Sequence, residues 1–182
     1  MKGNIKLHDI LVALLLVQNR MERRSEVFFQ PFKITSAQFN ILELLARNEG
    51  RMNQLDLVDR LLVGKSSISI VLNRMVRDKL VKREPHPKDR RQVVLALTAR
   101  GNNLWKKISP RYDAAVERLF SVLPITRRQQ FLNDLKLIHH TFFAEDGNPI
   151  SAADNHWNAY FSNSETSPNT PKSASKEEQS CH

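Results

Sequence analysis

The spacing of apolar residues changes period within one short stretch of this chain, and that change limits the folds open to it. Ile68, Val71, Leu72, Met75 and Val76 recur at intervals of three and four, as on the buried stripe of a helix running from Lys65 to about Lys79. Val93, Leu95 and Leu97 then alternate, as on one face of a strand from Gln92 to Leu97, with Leu80-Val81-Lys82-Arg83 as the partner strand. Between the strands, Pro85-His86-Pro87-Lys88-Asp89-Arg90-Arg91 reads as a proline-stiffened loop with a basic tip. A helix therefore feeds a β-hairpin.

Upstream, residues from about Ile5 to Phe28 read as one long helix, which Pro31 ends. Its middle, Ile10 to Val17, is apolar around most of its circumference, and such a helix must be covered on two sides. A second subunit is the natural cover; burial within one chain is the alternative. Thr35-Ser36-Ala37-Gln38 opens a second helix as a T-x-x-Q capping box, and this helix runs to about Asn48 before Gly50 breaks it. Asn53 caps a short third helix carrying Leu55, Leu57, Val58 and Leu61. Val63-Gly64 then makes the tight turn of a helix-turn-helix pair.

Thr98 caps a fifth helix that contains Pro110 and follows helical spacing from Leu104 to Leu123. Pro124 ends it, and Thr126-Arg127-Arg128-Gln129 reads as the opening of a sixth, reaching about Ala144. Beyond Gly147, 15 of the last 36 residues are Ser, Asn or Pro, which reads as a disordered tail with one aromatic cluster, His156 to Phe161.

Charge adds the functional constraint. From Lys65 to Arg91 there are nine Lys or Arg against three acids, a balance of +6 in 27 residues, while all 182 residues sum to +9. Positive charge is concentrated where a polyanion would find it. On the fourth helix the face opposite the apolar stripe presents Lys65, Ser66, Ser67, Ser69, Ile70, Asn73, Arg74 and Arg77. A solvated face mixes acids with bases, yet the first acid here is Asp78. Small hydroxyl residues in the first turn let backbone amides approach a phosphate.

Several classes of function find no support. The single cysteine, Cys181, allows no intramolecular disulfide or paired thiol switch, which favours a reducing cytoplasm. The most apolar run is eight residues against the roughly 20 a membrane span needs, and no signal-peptide pattern surrounds it. His139-His140 point roughly 100° apart on a helix and lack further ligands, so no metal site is expected. There is no phosphate loop, nucleophile elbow or other catalytic constellation, so the chain reads as neither an enzyme nor a cofactor binder.

The run Leu61-Leu62-Val63-Gly64-Lys65-Ser66-Ser67-Ile68-Ser69-Ile70-Val71-Leu72-Asn73-Arg74-Met75, continued by Leu80-Val81-Lys82-Arg83, Asp89-Arg90-Arg91 and Leu97-Thr98-Ala99-Arg100-Gly101, resembles the MarR family of winged helix-turn-helix transcriptional regulators. The likeness extends from about Ile5 to Phe143. It implies a mostly α fold with a small β-hairpin wing: an N-terminal dimerisation helix in 1–34, a winged helix-turn-helix DNA-binding lobe in 35–98, C-terminal helices completing the dimer in 99–146, and a tail from 147 to 182. It further implies double-stranded DNA as partner, with contacts from Lys65, Ser66, Ser67, Ser69, Asn73, Arg74, Arg77, Lys88, Asp89, Arg90 and Arg91. Asp89 and Arg91 match the wing's D-x-R motif, the acid orienting its arginine neighbour. A homodimer would bury Leu11, Leu14, Leu15, Phe131, Leu135, Ile138 and Phe142. A ligand-responsive repressor on a palindromic operator is implied, with a small aromatic or amphipathic effector whose pocket residues stay unassigned. The competing reading of the same charge is a nonspecific or nucleoid-associated nucleic-acid binder. One departure carries structural weight: the family commonly has Gly where this chain has Lys79, at a steric cost if the backbone there is left-handed.

Overall fold

The computed structural model describes residues 6–61, 65–89, 91–147, 149, 154 and 157. The chain divides into two compact units, 1–128 and 129–182. The first unit holds α1 (Leu7–Phe29), a 3-10 turn (Gln30–Phe32), α2 (Ser36–Arg47), β1 (Arg51–Asn53), α3 (Gln54–Arg60), α4 (Lys65–Arg77), β2 (Val81–Pro85), β3 (Val93–Leu97) and α5 (Ala99–Phe120). The last helix, α6 (Ile125–Glu145), begins in the first unit and continues into the second. The fold is mostly helical with a small antiparallel sheet, as expected. The Val63-Gly64 turn lies outside the described residues.

Local chemistry explains most element boundaries. Thr35 and Gln38 form the reciprocal capping box: Gln38 N donates to Thr35 Oγ1 at 3.2 Å, and Thr35 N donates to Gln38 Oε1 at 2.9 Å. Asn53 Oδ1 accepts from Leu55 N at 2.8 Å and caps α3. The expected box at Thr126 does not form. Helix α6 starts two residues earlier than that box would set, at Ile125, with Pro124 O accepting from Arg127 N at 2.9 Å and Arg128 N at 3.0 Å. Proline's preset φ suits the chain to enter a helix there, which leaves Thr126 inside the first turn.

The core of the first unit joins α1, α2, α4, α5 and the sheet. Phe29, Phe39, Leu42, Leu45, Leu57, Ile68, Leu72, Met75, Leu95 and Ile108 are buried. At the junction of α1, α2 and α5 an aromatic cluster forms, in which the Tyr112 ring centroid lies 5.8 Å from Phe28, 5.8 Å from Phe29 and 4.9 Å from Phe39. Burial, reinforced by the Glu43 and Asp113 carboxylates, raises the Tyr112 phenol above its ordinary range. Leu55, expected among the apolar positions of α3, is instead 67% exposed, because it follows the cap directly while Leu57 and Leu61 take the inward positions.

The sheet has three strands, in the order β1-β3-β2. The hairpin of β2 and β3 was legible, whereas β1 was not. Three residues are too few to display a period. Strand β3 is central, so both of its edges are paired, and Val94, Leu95 and Ala96 are buried on its two faces. Leu95 faces the core, and on the other face Ala96 pairs with Arg51 and Lys82 while Val94 pairs with Asn53 and Glu84. Directly paired residues share a face, so the long polar side chains of the edge strands flank the small apolar residues between them. Val93, expected inward, is exposed instead.

Helix α4 ends in a Schellman motif. Leu80 N donates to Met75 O at 2.9 Å and Lys79 N to Val76 O at 3.0 Å, with Lys79 left-handed at φ 56°. The conformation that favours glycine is therefore present with lysine in it. Thr98 clasps this exit: its hydroxyl donates to Lys79 O at 2.6 Å and lies 3.1 Å from Leu80 O, its N–H donates to Leu80 O at 3.2 Å, and Oγ1 accepts from Gly101 N at 3.0 Å. A Cβ on Gly101 would stand 2.0 Å from Leu80 O. Gly101→Ala should accordingly lower stability in urea unfolding by about 1–3 kcal/mol, the range of an overpacked site, while Lys79→Gly should raise it by about 1 kcal/mol. Equal midpoints for Gly101→Ala and the parent would contradict this close approach.

Candidate nucleic-acid interface

Helix α4 separates its two faces as its spacing requires. Ile68, Leu72 and Met75 are buried and Val71 and Val76 half-buried, while Ser69, Ile70, Asn73, Arg74 and Arg77 are exposed. Lys65 opens the helix, but the side chains of Lys65, Ser66 and Ser67 lie outside the described residues. Arg74 Nε and Arg77 Nε stand 3.8 and 3.4 Å from the two Asp78 carboxylate oxygens. Exposed pairs this loose contribute little stability, so both guanidinium groups are available to an anion at small cost.

The hairpin tip is held by a network that sequence reasoning largely missed. Asp89 Oδ1 accepts from Arg91 N at 3.0 Å, and Asp89 Oδ2 accepts from Gln92 Nε2 at 3.1 Å. Gln92 Oε1 accepts from Asn53 Nδ2, so the residue that caps α3 also reaches the wing. On the other arm, His86 Nδ1 accepts from Lys88 N at 3.3 Å and Asp89 N at 3.2 Å, and His86 N donates to Gln92 O at 3.1 Å. The Asp89 side chain thus fixes the backbone that carries Arg91. Arg90 lies outside the described residues. Asn53 and Gln92 are 39 residues apart, and no local pattern links them.

Charge at the base of the hairpin is partly compensated by one carboxylate. Glu84 pairs with Arg51 of β1 and, at 2.7 Å, with Lys82 Nζ. The Lys82 hydrogen bond, helped by the charges of Lys82 and Arg51, holds the Glu84 carboxyl below its ordinary range. Arg83 Nε donates to Gln54 Oε1 at 3.3 Å. Lys88 and Arg91 are exposed at the tip, and the Arg91 guanidinium has no ion-pair partner among the described residues. Loosely held or unpaired cationic side chains are therefore found on the α4 face and at the wing tip, while Arg51 and Lys82 at the wing's base share one carboxylate.

Residues 32–92, which contain α2 through the wing loop, match the family model described as the MarR family. Over those residues the chain is similar to the MarR family. It is 33% identical over 100 residues to an uncharacterized HTH-type transcriptional regulator, YkoM, of Bacillus subtilis (strain 168), covering 54% of this chain and 64% of that relative's length. It is 28% identical over 134 residues to the homoprotocatechuate degradative operon repressor of Escherichia coli, covering 71% of this chain and 88% of that protein. Among solved structures it resembles AbsC, a MarR family transcriptional regulator from Streptomyces coelicolor, with a TM-score of 0.69 and 28% identity over 79% of this chain and 99% of that one. The winged-helix fold of this chain agrees with that likeness.

The second unit contains its own small cluster. Asp154 Oδ1 lies 2.8 Å from Lys136 Nζ and 3.5 Å from His140 Nε2, and the His139 and Trp157 rings stand 5.3 Å apart. Asp154 and Trp157 of the presumed tail thus contact α6. The two histidines face different partners, as their 100° separation requires.

Removing the Asp89 carboxylate tests whether the wing tip depends on it. In Asp89→Ala, amide exchange at Arg91 and Gln92 should accelerate on the order of 5- to 10-fold, as expected for about 1 kcal/mol of local hydrogen bonding, with the α2 amides unchanged. Unaltered exchange at Arg91 would mean that another contact holds the loop.

Proposed function

We propose that this chain is a MarR-family, sequence-specific regulator of transcription that binds double-stranded DNA as a homodimer. The observation that carries the reading is the one-sided α4: every inward position is apolar, and its described outward side chains are Ser69, Ile70, Asn73, Arg74 and Arg77, beside a wing whose tip presents Lys88 and Arg91. A helix of this kind fits the major groove, where hydrogen bonds to base edges specify sequence and contacts to phosphate position the protein. Arg91 at the end of an ordered loop suits the narrow, strongly negative minor groove. Lys65, Ser66, Ser67 and Arg90 belong to the same proposed surface by position.

Exposed apolar side chains support the homodimer. Leu11 and Leu15 of α1 are more than half exposed, Leu14 is half-buried, and on α6 Phe131, Ile138 and Phe142 are exposed with Leu135 half-buried. In this reading 1–34 and 99–146 form the dimer, 35–98 is the DNA-binding lobe, and two lobes meet half-sites of a palindrome about 34–36 Å apart. Repression is supported by the operon repressor among the relatives, and that repressor's degradative operon concerns an aromatic acid, which favours a small aromatic effector here. Such an effector need only bind one lobe spacing better than the other. The site of action is the cytoplasm, and the protein performs no catalysis.

Equilibrium binding to a duplex selected by the purified protein from genomic fragments, repeated over a salt series, tests the assignment. Arg91→Ala should weaken binding to every sequence and, if it loses one phosphate contact, lower the salt slope by roughly 1. Asn73→Ala should cost about 1–3 kcal/mol and relax preference at one position of each half-site. Equal affinity of the parent for scrambled DNA would favour the nonspecific binder and sink the proposal.

A further inference from the structure

One residue on the outward face of α4 does not share its neighbours' chemistry. Ile70 is 73% exposed, in the same stripe as Asn73, Arg74 and Arg77 at intervals of three, four and seven. With these three residues it lines a shallow, largely apolar depression on the helix surface. Ile70 takes no part in the core, and a β-branched residue at an exposed helical position is a poorer helix former than Lys, Glu or Ala. Local stability gives no reason for an isoleucine there.

The major groove offers an apolar group of one kind on its base edges, the C5-methyl of thymine. Resting on the DNA-binding reading above, we propose that Ile70 is a specificity-determining residue that seats a thymine methyl against its side chain in the depression beside Asn73 and Arg74. Position along the helix sharpens the expectation. Ile70 and Asn73 are separated by about 4.5 Å of axial rise, and base pairs are stacked roughly 3.4 Å apart. The thymine therefore lies within about two base pairs of the base that Asn73 contacts. An Asn pairs best with adenine N6 and N7, so each half-site should contain a thymine and an adenine at that short spacing. Contact of Ile70 with deoxyribose, which every sequence offers, is the competing account.

Thymine-to-deoxyuridine replacement removes the methyl and leaves every hydrogen-bonding group in place. Using the full-length protein and a duplex it has selected, each thymine of a half-site is replaced in turn and affinity measured for the parent, Ile70→Ala and Ile70→Val. One position should weaken parent binding by about 3- to 5-fold, the magnitude of one buried methyl. Ile70→Ala should be weaker on the thymine duplex and indifferent to the replacement, with Ile70→Val intermediate. Helical circular dichroism should match in all three proteins, since the position is exposed. A selected duplex whose deoxyuridine profile is flat, or identical for parent and Ile70→Ala, overturns the methyl contact while leaving DNA recognition standing. Failure to select any duplex overturns the DNA-binding reading, and this inference with it.

Discussion

The carbonyls of Lys79 and Leu80 are the point on which the lobe turns. Both are capped by Thr98, whose hydroxyl and N–H close the exit of α4 while its Oγ1 receives Gly101 N at the entry of α5. The Met75 and Val76 carbonyls at the end of α4 are closed by the amides of Leu80 and Lys79, and the clasp fixes the two residues that make those bonds, so α4 holds its outward side chains in register. The clasp also brings the backbone of Gly101 against Leu80 so closely that a methyl group has no room. Position and orientation of the presenting helix are therefore set from its C-terminal end. The cost is the left-handed Lys79, a conformation that disfavours an L side chain and that the surrounding hydrogen bonds overdetermine.

A second network does for the wing what the clasp does for the helix. Asn53, Gln92 and Asp89 form a line of side-chain hydrogen bonds from the start of α3 to the hairpin tip. Lys88 and Arg91 thus project from a loop whose backbone is tied to the helix-turn-helix rather than from a free ribbon. Glu84 pairs with both Arg51 and Lys82 at the base and offsets part of their charge. Ordering the tip in advance lowers the conformational entropy lost when an anion binds, which favours affinity without any further contact.

What was legible in the sequence was local. The Thr35–Gln38 box, the Asn53 and Thr98 caps, and the change of period between α4 and β3 each depend on residues within a few positions of one another, and all are present. What was missed depends on distance along the chain or on competition between neighbours. Strand β1 exists because Arg51, Met52 and Asn53 find Ala96, Leu95 and Val94 more than forty residues later. The Asn53–Gln92 bond is of the same kind. At Thr126 two local rules competed, and the proline before it determined where α6 starts. Val93 was placed inward by simple alternation, but β1 pairs only with Val94, Leu95 and Ala96, so Val93 lies past the end of that neighbour, opposite Pro85 alone, and is exposed.

Helix α1 shows how the two halves of the functional argument meet. Over its 23 residues only Phe29 is buried, while Ile10, Leu11, Leu15, Leu16 and Val17 are exposed. Apolar surface of that extent calls for a partner, so the first turns of α1 depend on whatever covers them. Its last turn is anchored within the chain. Phe28 and Phe29 pack on Tyr112 of α5, Phe29 also packs on Phe39 of α2, and α5 leads back to Thr98 and Gly101. The helix that carries the face needing cover is therefore packed, at its last turn, on the helix that enters from the Thr98 clasp. Displacing α1 or α5 at the aromatic cluster bears on the Gly101–Leu80 contact, where there is no slack to absorb the movement locally.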